Sequence, residues 1–522
     1  MHYYDQVCRQ FSRRELLNIV WALGAGAIAA PVRAQTPVSR PAFRAHPFTL
    51  GVASGDPLPT GVVLWTRLAP EPLAGGGMPM VPVEVGWEVG ADPAFRSIVR
   101  AGTEIARPEL GHSVHADVEG LLPGRDYWYR FHAGGETSAA GRTRTAPAAD
   151  AMAERIRFAV CGCNHFEHGF FTGYRRISEG DFDWILHTGD YIYESGAAPG
   201  GVRTHHGAEL YSVADYRARY AQYKLDPDLQ AAHASAPFIV TWDDHEVVND
   251  YAGGGGGADV PPEVFALRRA AGYQAYYEAM PLRRPALPGG GGMQLHRRLS
   301  FGQLVDLHVC DTRQWRSSQA CGKGWRSQCA EALDTRRTML GADQERWLFT
   351  NLERPAGRWT LLGQQVYTFA RDLGALDPAA RFNMDKWDGY VAARRRLYSR
   401  LGHPRVPNPI VLSGDVHQHF AADLKMDFAR PESETIGVEL TTTSISSNGD
   451  GTDVAPGWDR ARPDNPHVTY HSARRGFMAC TATPDTLSAD FMVLDRVSVP
   501  DARARVGGSI VVENGRRGGM VT

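Results

Sequence analysis

The sequence predicts an α/β (α+β) domain preceded by an N-terminal all-β sandwich of immunoglobulin or fibronectin-like type. Three observations predict it. Residues 43–147 read as short alternating strands and turns; beyond Arg155, strand-like runs alternate with helical stretches; and three hydrophobic runs end in clusters of metal-ligating side chains. Those three are Trp184 to Tyr193, containing His187-Thr188-Gly189-Asp190; Phe238 to Glu246, ending Asp243-Asp244-His245-Glu246; and Ile410 to His417, ending Gly414-Asp415-Val416-His417. Carboxylate, phenol and imidazole groups at the ends of buried strands are how α/β folds assemble a multi-metal hydrolytic site.

In chain order, the first 34 residues read as an address. Ser12-Arg13-Arg14-Glu15-Leu16-Leu17 precedes an apolar stretch, Leu16 to Ala30, too short to span a bilayer comfortably, and Val32-Arg33-Ala34 offers a small-x-small cleavage site. The segment resembles a twin-arginine signal. That predicts the twin-arginine translocation machinery as a partner and a periplasmic or secreted protein, the alternative being a retained N-terminal anchor. No other segment approaches transmembrane length, so the mature chain is expected to have no stable membrane span. Removing Arg9, Arg13, Arg14 and Arg33 together with Asp5 and Glu15 moves the net charge from −2 to −4. Bulk charge therefore attracts neither nucleic acid nor an anionic membrane.

Val62 to Leu68, Val83 to Val89 and His112 to Val118 read as half-buried strands, and Leu122 to Phe131, containing Tyr127, resembles a tyrosine corner. Gly141 to Glu154, rich in Ala, Thr and charge, reads as a linker. Within the α/β domain, residues 155–515, Pro262 to Met280 and Gly341 to Arg354 read as helices. The glycine runs Gly253 to Gly257 and Gly289 to Gly292 read as loops; neither is followed by Gly-Lys-Ser/Thr, which argues against a P-loop. Cys321 and Cys329 bracket a short polar loop and are able to pair in an oxidising compartment.

Gly189 allows a sharp turn into Asp190, whose two oxygens suit a bridge between cations; Tyr193 suits a phenolate ligand of a strong Lewis acid. The competing reading makes Asp190 a helix cap and Tyr193 a packing residue. Four consecutive ionisable groups at Asp243 to Glu246 are costly beside a core unless cations or hydrogen bonds compensate them. Asp415, His417 and His419 share one side of an extended segment, with His419 expected to be structural. Cys163, at the end of Ile156 to Cys163, is a candidate thiolate ligand.

Gly189-Asp190-Tyr191-Ile192-Tyr193-Glu194, Trp242-Asp243-Asp244-His245-Glu246 and Ser413-Gly414-Asp415-Val416-His417 occur in that order behind the leader and sandwich. Together they resemble the PhoD-type alkaline phosphatases and phosphodiesterases of the calcineurin-like metallophosphoesterase superfamily, over nearly the whole chain after the leader. The resemblance implies a four-layer metallophosphoesterase sandwich. It also implies a ferric ion, Fe(3+), on Cys163, Asp190, Tyr193 and His417, with Asp190 bridging to a calcium ion, Ca(2+), completed by Asp244 and Asp415; Asn249 is a candidate for a second calcium. The chain departs from the common Ser-Cys pattern at Cys161-Gly162-Cys163, so Cys161 stays an alternative to Cys163.

The implied activity is hydrolysis of phosphate monoesters and diesters by attack of a metal-bound hydroxide. His245 would protonate the leaving alkoxide or, alternatively, orient a ligand. Arg313 would clamp the phosphate or, equally, pair structurally with Asp311 or Asp244. Two competing readings are an esterase acting mainly on diesters, such as phospholipids or wall teichoic polymers, and a catalytically dead secreted binding protein.

Overall fold

The computed structural model of the chain describes residues 38–39, 42–255 and 260–522. The leader expected over residues 1–34 and the end of the first glycine run lie outside the described residues.

Two large sheets organise the described residues, one of ten strands and one of eight. The centre of the first is parallel: Ile156–Cys161, Trp184–His187 and Phe238–Val240. The centre of the second is also parallel: Val305–Val309, Trp359–Gly363, Pro409–Ser413 and Thr435–Thr441. Near-continuous hydrophobic runs are what strands covered on both faces require.

Alternation of side chains then sets the layers. Phe158, Val160, Trp184, Leu186 and Ile239 from one sheet meet Leu307, Leu361, Leu412 and Leu440 from the other in a shared core. The opposite face of the first sheet, with Ala159, Ile185 and Val240, is covered by Tyr174, Tyr220 and Tyr276 from the helices Thr172–Ser178, Val213–Lys224 and Pro262–Ala279. The outer face of the second, with Leu362 and Val411, is covered by Leu348 and Leu397 from Ala342–Leu352 and Val391–Leu401. The result is a four-layer helix–sheet–sheet–helix sandwich. Both helices expected from the sequence form, over Pro262–Ala279 and Ala342–Leu352.

The N-terminal sandwich is not a free-standing pair of sheets. Val52–Leu58, Gly61–Arg67 and Ser113–Glu119 continue the ten-stranded sheet, joining it where Gly55 pairs with Phe238. A Cβ on Gly55 would lie 2.8 Å from the Phe238 carbonyl oxygen, so the junction needs glycine. A separate five-stranded sheet packs on these strands, placing Val85, Tyr129 and Phe131 against Val62, Leu64 and Ala116. The Tyr127 hydroxyl accepts from the Leu122 backbone N–H at 2.9 Å, which is the contact that defines a tyrosine corner. The stretch read as a linker from Gly141 is corrected in its first residues: Gly141–Arg144 is a strand paired with Asp126–Ala133. Its alternating Arg and Thr residues bury Thr143 while Arg142 binds Asp126 at 2.9 Å.

Candidate metal centre

The parallel strands of both sheets deliver their C-terminal ends to one place. Cys163, Asp190, Asp415 and His417 each follow a strand by two to four residues, and each has a left-handed backbone, with φ of 56°, 56°, 67° and 55°. Non-glycine residues adopt that region only where surroundings over-determine it, and such strain concentrates at functional sites. The loops also approach closely. A Cβ on Gly189, itself at φ 114°, would strike the Asp243 Cβ at 2.5 Å, and one on Gly414 would meet Thr188 Oγ1 at 2.3 Å.

Ligand atoms of Cys163, Asp190 and His417 lie within 4.8 Å of one another. Tyr193 completes this group: its hydroxyl donates to Asp190 Oδ2 at 3.0 Å and sits 3.2 Å from His417 Nε2, while the Ser447 hydroxyl lies 2.6 Å from the phenol oxygen. Three further groups adjoin it: Asp190 with Asp244 and His245; Asp243 with Asp244 and Asp415; and Asp244 with Asp250 and Asp385. Asp190 and Asp244 are shared between groups, as bridging ligands must be. Cys161 is buried in the sheet core and belongs to none of the groups.

The run Asp243 to Glu246 divides its tasks. Asp244 lines the cleft and accepts the Asp250 N–H at 2.6 Å. His245 Nδ1 is 2.6 Å from Glu194 Oε2. Glu246, fully buried, accepts the backbone N–H groups of Tyr191 and Asp243 and so ties two strand-end loops together. Although burial opposes it, Glu194, Asp190 and Asp244 raise the His245 imidazole well above its ordinary range. His419 lies apart: its ring bonds the Met492 carbonyl at 3.2 Å and the Thr443 N–H at 3.1 Å.

Arg313 is placed otherwise than a phosphate clamp requires. Its guanidinium is fully buried, bonded to Asp243, 2.8 Å from Asp385, 3.3 Å from Asp415 and 3.6 Å from Asp244. It holds the carboxylates from behind. Lys386, 2.6 Å from Asp415, and Arg316, bonded to Asp385, do the same. The sequence reading missed Glu194, Asp250, Asp385, Lys386 and Ser447. Glu194 ends the first strand-end motif, and Asp385-Lys386-Trp387-Asp388 is a charged cluster in an aromatic setting that follows no strand legible in the sequence.

Asp190, Asp243, Asp244, Asp250, Asp385 and Asp415 face only Arg313, Arg316 and Lys386 as permanent cations in this buried set. Asp190 Oδ1 and Asp243 Oδ2 are buried without a hydrogen-bond partner. Burial first, then the charges of Asp190, Asp415 and Asp243, push the Cys163 thiol well above its ordinary range. Excess buried carboxylate, orphaned oxygens and a thiol that needs a cation to ionise are the features of a donor set that fits metal ions. A cleft of about 310 Å³ opens above it, floored by Asp190, Asp244, Asp415 and His417 and walled by Trp325 and Arg371.

Such a site on a four-layer sandwich defines a metal-dependent hydrolase, and comparison with known proteins specifies which kind. The PhoD-like phosphatase family matches residues 158–491, and the PhoD-like phosphatase N-terminal domain matches residues 33–147. Alkaline phosphatase D of Bacillus subtilis (strain 168) is 45% identical over 496 residues, covering 94% of this chain and 85% of that protein. A solved structure of PhoD superposes with a TM-score of 0.90 at 44% identity, covering 92% of this chain and 93% of that one. The chain belongs to the PhoD-like phosphatase family and is a hydrolase of phosphoric ester bonds.

Proposed function

We propose that this chain hydrolyses phosphate monoesters and diesters at alkaline pH in the periplasm or outside the cell, after export by the twin-arginine route. The observation that carries the reading is the convergence of Cys163, Asp190, Tyr193, His417, Asp244 and Asp415 on one cleft, with Asp190 and Asp244 shared between ligand groups. Thiolate, phenolate and imidazole beside Asp190 suit ferric iron; the oxygen-only set of Asp190, Asp244 and Asp415 suits calcium. Bound there, the cations would neutralise charge on a phosphoryl group and acidify water beside it.

The chain's own residues supply the rest. Glu194, 2.6 Å from Nδ1 of His245, favours the protonated imidazole, whose Nε2–H would then protonate the departing alkoxide. Asp243, Arg313 and Lys386 fix the carboxylates from the protein side, so that the ligand oxygens keep their positions. Rates on matched aryl phosphate mono- and diesters, with metal analysis of the purified protein, test the reading. Iron and calcium present without turnover of either ester would overturn it. Asp190→Ala is expected to lose activity and most bound metal together, and retention of both metals would remove its bridging role. Replacing Arg13 and Arg14 by Lys is expected to leave the protein in the cytoplasm; unchanged export would refute the route.

A further inference from the structure

The positively charged side chains lining the cleft are matched to carboxylates with one exception. Lys386 lies 2.6 Å from Asp415 and 3.0 Å from Asp385, and His245 is held by Glu194. Arg371 lines the same cleft, is 6% exposed, and has no carboxylate within ion-pair reach of its guanidinium among the described residues. Its Nε is buried without a partner. The one side-chain hydrogen bond of the guanidinium is long, NH2 donating to Gln418 Oε1 at 3.4 Å. That oxygen already lies 2.9 Å from His471 Nε2.

The carboxylate bonded to its backbone does not relieve it. Asp388 takes the backbone N–H of Arg371 at 3.1 Å and is ion-paired to Arg394 at 2.6 Å. Aromatic rings hold the guanidinium plane instead, Phe420 at 5.1 Å and Trp325 at 5.7 Å. Gln418 directly follows the ligand candidate His417, and both line the cleft, so Arg371 stands beside the metal-ligand group and not at a remote edge. A buried guanidinium without a counter-charge is costly unless an anion completes it. Its planar fork matches two oxygens of a phosphoryl group.

We infer that Arg371 is the anion clamp of this cleft, receiving non-bridging oxygens of the phosphate ester and of the inorganic phosphate released from it. The clamp function assigned by sequence to Arg313 thus falls to a residue on the open side of the site. The inference rests on the phosphoesterase reading above.

The test compares metal-loaded wild type, Arg371→Gln and Arg371→Lys by calorimetric titration with inorganic phosphate and by kcat and KM on an aryl phosphate. Losing charge-assisted hydrogen bonds is expected to weaken phosphate binding and raise KM about 10- to 100-fold in Arg371→Gln, with kcat much less affected. Metal content and melting temperature should hold, and Arg371→Lys should recover part of the phosphate affinity. Wild-type phosphate affinity and KM in Arg371→Gln overturn the inference. So does loss of metal in parallel with activity, or failure of that variant to fold while Arg371→Lys keeps full affinity, since either marks a structural role. A wild type that neither binds phosphate nor turns over esters fails the phosphoesterase reading itself.

Discussion

Arg313→Met is the sharpest probe of how the carboxylate cluster is held. The guanidinium is fully buried and faces Asp243, Asp385 at 2.8 Å, Asp415 at 3.3 Å and Asp244 at 3.6 Å. Although burial opposes it, Asp243, Asp244 and Asp385 hold Arg313 well above the ordinary arginine range, so the positive charge is fixed. Methionine fills similar volume and removes that charge. Taking one partner from a buried ion pair costs about 3–5 kcal/mol. At about 2.1 cal/mol/K per residue of unfolding entropy, a chain of 522 residues unfolds with about 1.1 kcal/mol/K, so the metal-free variant should melt about 3–5 °C lower.

With metals bound, Asp244 and Asp415 gain other positive partners, and Asp385 keeps Arg316 and Lys386. Only Asp243 is then left without a full counter-charge. The deficit should shrink to about half, near 2 °C, in the loaded protein. Calorimetric melts of wild type and variant, each with metal and after exhaustive chelation, measure both gaps. A metal-free variant within about one degree of wild type would refute the electrostatic argument, as would a gap that metal leaves unchanged.

His245→Asn should lower kcat about 10²- to 10⁴-fold on alkyl esters and much less on nitrophenyl esters, whose leaving groups need no proton; equal losses on both would make the histidine a positioning residue. Lys224, buried against Trp65 at 4.1 Å, is depressed from 10.5 to about 7, first by burial and then by Arg67. The unfolded chain therefore holds a proton between pH 7 and 10.5 that the folded chain lacks, and stability from this group rises with pH across that window and is lost as pH falls through it. Lys224→Met should accordingly stabilise the protein most at pH 7 and little above pH 10, as read from denaturant midpoints; equal shifts at both pH values would count against it. The Cys321–Cys329 disulfide closes the loop that carries Trp325. Its removal should cost about 2.5 kcal/mol by the chain-entropy argument, with metal content unchanged, and identical melts with and without reductant would show that it constrains nothing.

The parts of the fold legible in the sequence are those where local pattern and burial agree. Phe238-Ile239-Val240 and Ile410 to Ser413 read as strands because the sandwich covers them on both faces. Their ligand clusters were visible because each directly follows a strand. Lys386 and Asp385 were not, since they come from a short 3-10 turn region whose contact with Asp415 spans 29 residues and depends on tertiary packing alone. Arg313 was visible as a functional arginine, but its direction was not: four residues beyond the strand Val305–Val309, the side chain is free in sequence terms to face solvent or core, and the aspartates behind the cleft decided it. Gly141–Arg144 misled for the opposite reason, its Arg and Thr alternation being that of an edge strand with one charged face.

The fusion of the N-terminal strands to the main sheet bears on the site itself. Phe238–Val240 carries Asp243, Asp244 and His245, and in the catalytic half it has only Trp184–His187 as a parallel neighbour on one side. Without Val52–Leu58 on the other side it would be a three-residue edge strand with unpaired backbone groups. The junction is pinned from several directions: Arg297 reaches Asp56 at 2.7 Å, the Trp65 indole donates to the Glu278 carbonyl at 2.9 Å, and Arg217 holds the Glu278 carboxylate at 2.6 Å. Arg297 also donates to the carbonyl of Val240, the last residue of the strand before the cluster. The β-sandwich thus closes the edge of the strand that presents the shared ligand candidate Asp244, and holds that strand rigid.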